Sequence, residues 1–319
     1  MKNLRYVILA AMFSFLSGTL SGQHGVPKYY VHDDKFTKAL HNIIKQANLD
    51  SAFDTGEDGK ETISLAVIDL SQTKPVFGGV YYDNFIYPAS VYKMYVAMEV
   101  FNQAGEGKFS LYDQYIVKAP NDVDRSKEIL FDPRPLLRAG DTVSVYYLLD
   151  LMITRSDNSA ANCLIDLTGR PNINATMKEY NWTGSEVTRK FLKRKLEDPG
   201  YDTIRSTATC ASHAADFMYK IYSNTLITPW VSMHMKSLLG SQLDTTKLST
   251  GLPLNAMFYH KSGWWSYFTH DVGIVDDGSV KYIVALFTPV TEERVRPRLK
   301  IVSEKIYALM KQRAARKSP

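Results

Sequence analysis

The chain has 319 residues, of which 45% are hydrophobic and 12% aromatic. That is a globular composition, long enough for one large domain or two small ones, and it excludes a fibrous or low-complexity chain. With 38 basic and 33 acidic side chains the net charge is only +5. The most basic run, Lys311-Gln312-Arg313-Ala314-Ala315-Arg316-Lys317, reads as a solvated helix end rather than a nucleic-acid or membrane-binding patch.

The N-terminus places Lys2 and Arg5 before an apolar run, Tyr6 to Leu16, followed by the small residues Ser17, Gly18, Ser21 and Gly22. That order is expected of a secretory signal peptide over residues 1–22. The run is too short to span a bilayer comfortably. An uncleaved anchor is the competing reading. No cysteine stands near the cleavage point, so a lipid anchor is not expected. The mature chain should begin near Gln23, be exported, and carry no membrane span.

A helical spacing of Phe36, Ala39, Leu40, Ile43 and Ile44 predicts a helix over 33–47. Thr62 to Leu70 reads as a strand, Ser71 to Pro75 as a turn, and Val76 to Tyr82 as the returning strand. Pro88-Ala89 opens a buried helix through Val91, Tyr92, Tyr95, Val96 and Met98. Asp141-Thr142 looks like the cap of a helix over 143–154. A second helix covers 159–167, and Gly169-Arg170-Pro171 ends it. Helices at 209–222 and 229–239 follow. The period then changes: 261–267, 271–275 and 281–287 are short strands, with Asp276-Asp277-Gly278 as a turn, and 296–311 closes the chain as a helix. Strands at both ends with helices between predict an α/β protein, with one sheet built from both termini and a helical insertion. The α/β part takes in about 23–88 and 251–319, the helical part about 89–250. A site is expected in the cleft between them.

Cys163 and Cys210 are the only cysteines. An exported protein can join them, and two free thiols are equally consistent with the sequence. Seven scattered histidines and two cysteines give no zinc-ligand spacing, so no metal or cofactor is expected.

Three short words carry the chemistry. Ser90-Val91-Tyr92-Lys93 sets a hydroxyl and an amine one helical turn apart on one face. An amine held in a partly dry cleft can lose its proton and act as base, and the serine can then attack a carbonyl and form an acyl-enzyme. About one S-x-x-K arises by chance in such a chain; Ser71-Gln72-Thr73-Lys74 is such a copy, in a turn between strands. Ser156-Asp157-Asn158 lies between two helices, where capping is the ordinary reading. Functionally, Ser156 passes a proton to the leaving nitrogen and Asn158 meets the substrate's amide. Lys261-Ser262-Gly263 opens a strand. There Lys261 and Ser262 can meet a substrate carboxylate, and Gly263 lets the substrate backbone lie close. An edge strand with an exposed lysine is the ordinary alternative. The backbone N–H groups of Ser90 and Trp264 would form an oxyanion hole.

In this order the words resemble the class A β-lactamases and the wider penicillin-binding serine hydrolases. Arg155-Ser156-Asp157-Asn158-Ser159-Ala160-Ala161-Asn162 continues as that family does, and Gly169-Arg170-Pro171 resembles its next turn. Val187-Thr188-Arg189 and Arg205-Ser206-Thr207 resemble the two ends of its omega loop. The resemblance covers about 32–312. It implies an antiparallel sheet flanked by helices with an inserted all-helical subdomain, a monomer, and a β-lactam or D-Ala-D-Ala peptide as the small-molecule partner. The bacterial periplasm is the expected compartment.

One part of the pattern is missing. The family carries a glutamate in an E-P-x-L-N stretch that orients the deacylating water. By count from Arg189 that place falls to Arg194, within Lys190-Phe191-Leu192-Lys193-Arg194-Lys195-Leu196-Glu197-Asp198-Pro199-Gly200. Glu197 is the nearest carboxylate, as consistent with a solvated loop acid as with a deacylation base. Slow turnover of β-lactams with preserved acylation is the first expectation. A D,D-peptidase of the same fold is the second. A non-catalytic binding or sensor protein is a third, against which stand the intact Ser90, Lys93, Ser156 and Lys261.

Overall fold

The computed structural model describes residues 26–124, 132–197 and 203–316. The expected signal peptide, the loop residues Asp198, Pro199 and Gly200, and Lys317 lie outside the described residues.

The chain enters through β1 (Val31–His32) and α1 (Asp34–Gln46), whose first turn is capped by Asp33 accepting from the Phe36 N–H at 2.9 Å. A small hairpin, β2 (Phe53–Asp54) and β3 (Lys60–Glu61), precedes the sheet strands β4 (Ser64–Asp69) and β5 (Val76–Val80). A 3₁₀ turn, Ala89–Tyr92, then runs into α2 (Lys93–Gly105). A second hairpin, β6 (Gln114–Ile116) with β7 (Thr142–Ser144), leads into α3 (Val145–Thr154), α4 (Asn158–Thr168) and α5 (Arg170–Glu179). After α6 (Ala211–Tyr222) and α7 (Pro229–Gly240) come the long strands β8 (Met257–Trp265), β9 (Phe268–Asp276) and β10 (Lys281–Thr288), and α8 (Glu292–Ala315) ends the fold.

Six strands form the sheet in the order β1-β5-β4-β10-β9-β8, antiparallel except where two-residue β1 runs parallel to β5. The first and last parts of the chain therefore meet at its centre, where Ile68 pairs with Ile283. β4 buries all its residues, because helices cover both faces. With a period of two, Leu65 and Val67 join Leu40 of α1 and Leu299 of α8 on one face, while Ala66 and Ile68 join the core shared with α2 and α6 on the other. Each fully buried branched side chain contributes about 1.5–3 kcal/mol.

Local differences from the sequence reading have simple causes. Ser144, not Asp141 or Thr142, caps α3, accepting from the Tyr147 N–H at 3.2 Å, because Thr142 is spent pairing with Ile116. Gly169 ends α4 and also begins α5, whose first turn takes Pro171, where a missing N–H costs nothing. Cys163 and Cys210 are both free and buried, and burial pushes their thiols up, to about 12 and about 11.

The entering segment is tied to the helical side by one carboxylate. Asp216 of α6, buried, accepts from the hydroxyls of Tyr29 and Tyr30 and from Trp182 Nε1–H at 2.9 Å.

Candidate active site

Ser90 lies in the 3₁₀ turn beneath the edge strand β8. Ala89 just before it holds φ +46°, a left-handed conformation costly for a residue with a Cβ. Two anchors hold this segment. Ile86 exchanges hydrogen bonds with Thr209 at 2.8 and 3.1 Å, and the Tyr87 carbonyl accepts from His270 Nε2 at 2.8 Å. Nδ1 of His270 in turn accepts the Thr288 N–H at 3.1 Å, which fixes a neutral tautomer. Burial pushes His270 down to about 3.

Gly263 shows why the strand carries glycine here. A Cβ at that position would stand 2.8 Å from the Ser90 backbone nitrogen and 3.0 Å from the Pro88 oxygen. The approach of β8 to the Ser90 turn therefore depends on its absence. Trp264 follows, its side chain 55% exposed at the rim.

Lys93 begins α2 and is fully buried. Its Nζ donates to the Ser156 carbonyl and to Asn158 Oδ1, both at 2.7 Å, and lies 3.2 Å from Ser156 Oγ. Ser156 holds φ +59° in the turn between α3 and α4, and its carbonyl and hydroxyl both face Lys93 Nζ. The same hydroxyl accepts from Lys261 Nζ at 3.0 Å. Lys93, Ser156, Asn158 and Lys261, drawn from all three sequence words, thus form one hydrogen-bonded cluster. Asp157 instead takes the structural part: it caps α4 through the Ala160 N–H at 2.7 Å and pairs with buried Arg155 at 2.9 Å.

Three side chains outside the words complete the cluster. Asp124 accepts from the Asn158 backbone N–H at 2.7 Å and from its Nδ2 at 3.0 Å, which turns Asn158 Oδ1 toward Lys93. Asp244 accepts from Ser262 Oγ at 2.7 Å and pairs with buried Lys247. Burial alone would raise Asp244, but Lys247 and hydrogen bonds from Thr246 and Ser262 hold it well below the usual carboxylate range. Phe191 lies with its ring centre 4.2 Å from Lys93 Nζ, stacked on Tyr92 at 4.8 Å. Asp124 has no spacing that marks it. Asp244 stands in an Asp-Thr-Thr turn signal after α7. Phe191 falls in a stretch searched for a glutamate.

The loop ends are zipped where the sequence placed them: Thr188 donates to the Arg205 carbonyl at 2.8 Å and its N–H reaches Thr207 Oγ1 at 3.1 Å. Glu197 is not a solvated acid. Its carboxylate, 1% exposed, accepts the Lys190 N–H and faces Arg170 at 3.6 Å and Arg189 at 3.9 Å. Lys193, Arg194 and Lys195 are exposed.

Residues 40–310 match a family model described as the beta-lactamase enzyme family. The extended-spectrum beta-lactamase PER-1 of Pseudomonas aeruginosa is 25% identical over 229 residues, 67% of this chain and 71% of that protein. Beta-lactamase AST-1 of Nocardia asteroides is 25% identical over 177 residues, which is 54% of this chain and little more than half, 56%, of that protein. Among solved structures, PBP-A superimposes with a TM-score of 0.73 at 19% identity, covering 90% of this chain and 100% of that one. A beta-lactamase from Sphaerobacter thermophilus DSM 20745 gives 0.70 at 16% identity, over 88% and 99%. A PBP-A mutant solved as its acyl-enzyme complex with penicillin G gives 0.72 at 18%, over 88% and 98%. These structures share the fold, an α/β sheet flanked by helices.

Proposed function

Since the chain belongs to the beta-lactamase enzyme family, a family of serine hydrolases, we propose that Ser90 is a nucleophile acylated by β-lactams, with slow release of the acyl group. The observation that carries this reading is the Lys93–Ser156–Lys261 cluster beside the Ser90 turn.

Two partners of Lys93, the Ser156 carbonyl and Asn158 Oδ1, can only accept. They occupy two N–H groups, so a neutral amine turns its lone pair elsewhere, toward the hydroxyls. In that form Lys93 takes the Ser90 proton as the hydroxyl attacks the carbonyl. The proton then passes through Ser156 Oγ to the departing nitrogen, and Lys261, donating to the same oxygen, stabilises charge on it. The N–H groups of Ser90 and Trp264 receive the oxyanion. The second N–H of Asn158 Nδ2 serves the substrate's amide carbonyl. Lys261, Ser262 and the bare backbone of Gly263 line the end of the cleft beyond the scissile bond.

Slow deacylation is supported by Phe191, an aromatic ring against Lys93, and by the engagement of the Glu197 carboxylate within its own loop. The same ring favours a second reading, a D,D-peptidase acting on D-Ala-D-Ala stems. Nitrocefin hydrolysis against D-alanine release from a pentapeptide separates the two. The test of the common reading is a fluorescent penicillin: it should label the wild type and leave Ser90→Ala unlabelled. Equal label on both sinks the assignment.

Export belongs to the proposal, supported by the Lys2–Gly22 charge and apolar order. Fractionation and N-terminal sequencing should find a periplasmic protein starting near Gln23. The division into an α/β part and an inserted helical part is proposed likewise, from the strands at both ends of the chain.

A further inference from the structure

Ser262 does not offer its proton to the cleft. Its hydroxyl donates to Asp244 Oδ2 at 2.7 Å, so what it presents to a substrate is lone pairs. The same oxygen also accepts from Lys247, whose side chain is wholly buried and shared with Glu292 at 2.9 Å, and Glu292 in turn takes Arg296 at 3.0 Å, so the lysine is divided between two carboxylates. The Asp244 side chain keeps 25% of its surface exposed. Lys261, the cation on the neighbouring position, turns the other way, toward Ser156 Oγ and the Ser262 carbonyl at 2.8 Å, as alternation along a strand requires. Lys247 and the hydrogen bonds from Thr246 and Ser262 outweigh burial and keep Asp244 ionised across the neutral range.

From this geometry we infer that Asp244 is a specificity-determining residue that favours substrates bearing a neutral amide, rather than a free carboxylate, at the Ser262 end of the cleft. A carboxylate placed against Ser262 Oγ finds no donated proton and meets a second carboxylate bonded to the same oxygen. Like charges at that range are a strong deterrent. An amide N–H finds an acceptor already oriented. The fitting substrate class is an acyl compound whose portion beyond the scissile bond continues as, or ends in, an amide. This rests on the assignment of Ser90 as nucleophile.

The experiment compares acylation rates of Ser90, read by intact mass, for benzylpenicillin and its neutral carboxamide derivative. The mature wild type should react with the carboxamide at least as fast as with the acid. Asp244→Asn keeps an acceptor for Thr246 and leaves Lys247 its Glu292 partner, and it should raise the acid's rate and lower the carboxamide's, moving the ratio of the two rates about tenfold toward the acid. A wild type that prefers the acid tenfold overturns the inference without any variant, and so does a folded Asp244→Asn with an unchanged ratio of the two rates. Failure of both compounds to acylate Ser90 is a different result: it removes the nucleophile assignment itself.

Discussion

Lys93 Nζ stands 4.2 Å from the centre of the Phe191 ring, and that ring lies almost parallel to Tyr92, at 6° and 4.8 Å. The Lys93 amine is thus covered from the loop side by an aromatic face, which attracts a cation but cannot orient a water by accepting a proton. The Phe191 backbone is held in place by Asn162, whose Oδ1 accepts its N–H at 2.7 Å.

Replacing that ring should change the second half of the cycle. Phe191→Glu sets a carboxylate beside Lys93 and should speed loss of a bound penicilloyl group at least tenfold, measured by the decay of fluorescent label. Glu197→Gln should leave that decay unchanged and instead weaken the fold by roughly 1–3 kcal/mol, the cost of disturbing a buried, bonded carboxylate, read by urea unfolding. Slower decay on Glu197→Gln, with no change on Phe191→Glu, would reverse these assignments.

Gly263→Ala tests the approach of β8 to the nucleophile. The added methyl meets backbone, the Ser90 nitrogen and the Pro88 oxygen, with no flexible side chain to give way. Acylation by penicillin should fall on the order of a hundredfold, the scale of a lost oxyanion donor, while circular dichroism shows the sheet intact. An unchanged acylation rate would show that the strand does not set the oxyanion geometry.

Asp124→Ala leaves both the backbone N–H and Nδ2 of Asn158 without their acceptor. Asn158 then loses its hold on Lys93. The expected result is about tenfold slower acylation and a stability loss of roughly 1–3 kcal/mol. Asp124→Glu should recover part of the rate. A variant losing stability at full acylation rate would confine Asp124 to a structural part.

His270 predicts an acid-side loss of stability. Its folded value is depressed to about 3, against roughly 6.5 in the unfolded chain. The contribution is complete above the unfolded value. It declines as pH falls through the window down to the folded value, with a limiting slope of about 1.4 kcal/mol per pH unit. Unfolding measured across that window should show the decline, and His270→Gln should flatten it. A parallel decline in the variant would place the proton uptake elsewhere.

What could be read from the chain is local chemistry. The hairpin between β9 and β10 announced itself through two short apolar runs and the Asp276-Asp277-Gly278 turn between them. The S-x-x-K, S-D-N and K-S-G words picked out Lys93, Ser156 and Lys261, which the fold joins in one hydrogen-bonded cluster, because their spacing reflects single turns and strands. Partner choice was not legible. Nothing adjacent in sequence tells that Asp124 will grip Asn158, that Asp244 will take the proton of Ser262, or that Glu197 will fold back onto Lys190. Each depends on elements brought together only by the tertiary fold. Gly169-Arg170-Pro171 shows a different limit: one glycine stops a helix and the following proline suits the start of the next, and the two signals overlap.

The central strand carries a consequence for synthesis. β4 waits for β10 as its neighbour, with Ile68 paired to Ile283, and Tyr29 and Tyr30 wait for Asp216, 187 and 186 positions further on. Contacts so remote in sequence form late and slowly. As the ribosome works toward the C-terminus, the hairpin of β4 and β5 emerges with one edge unsatisfied and stays so until β10, more than two hundred positions on, has been made.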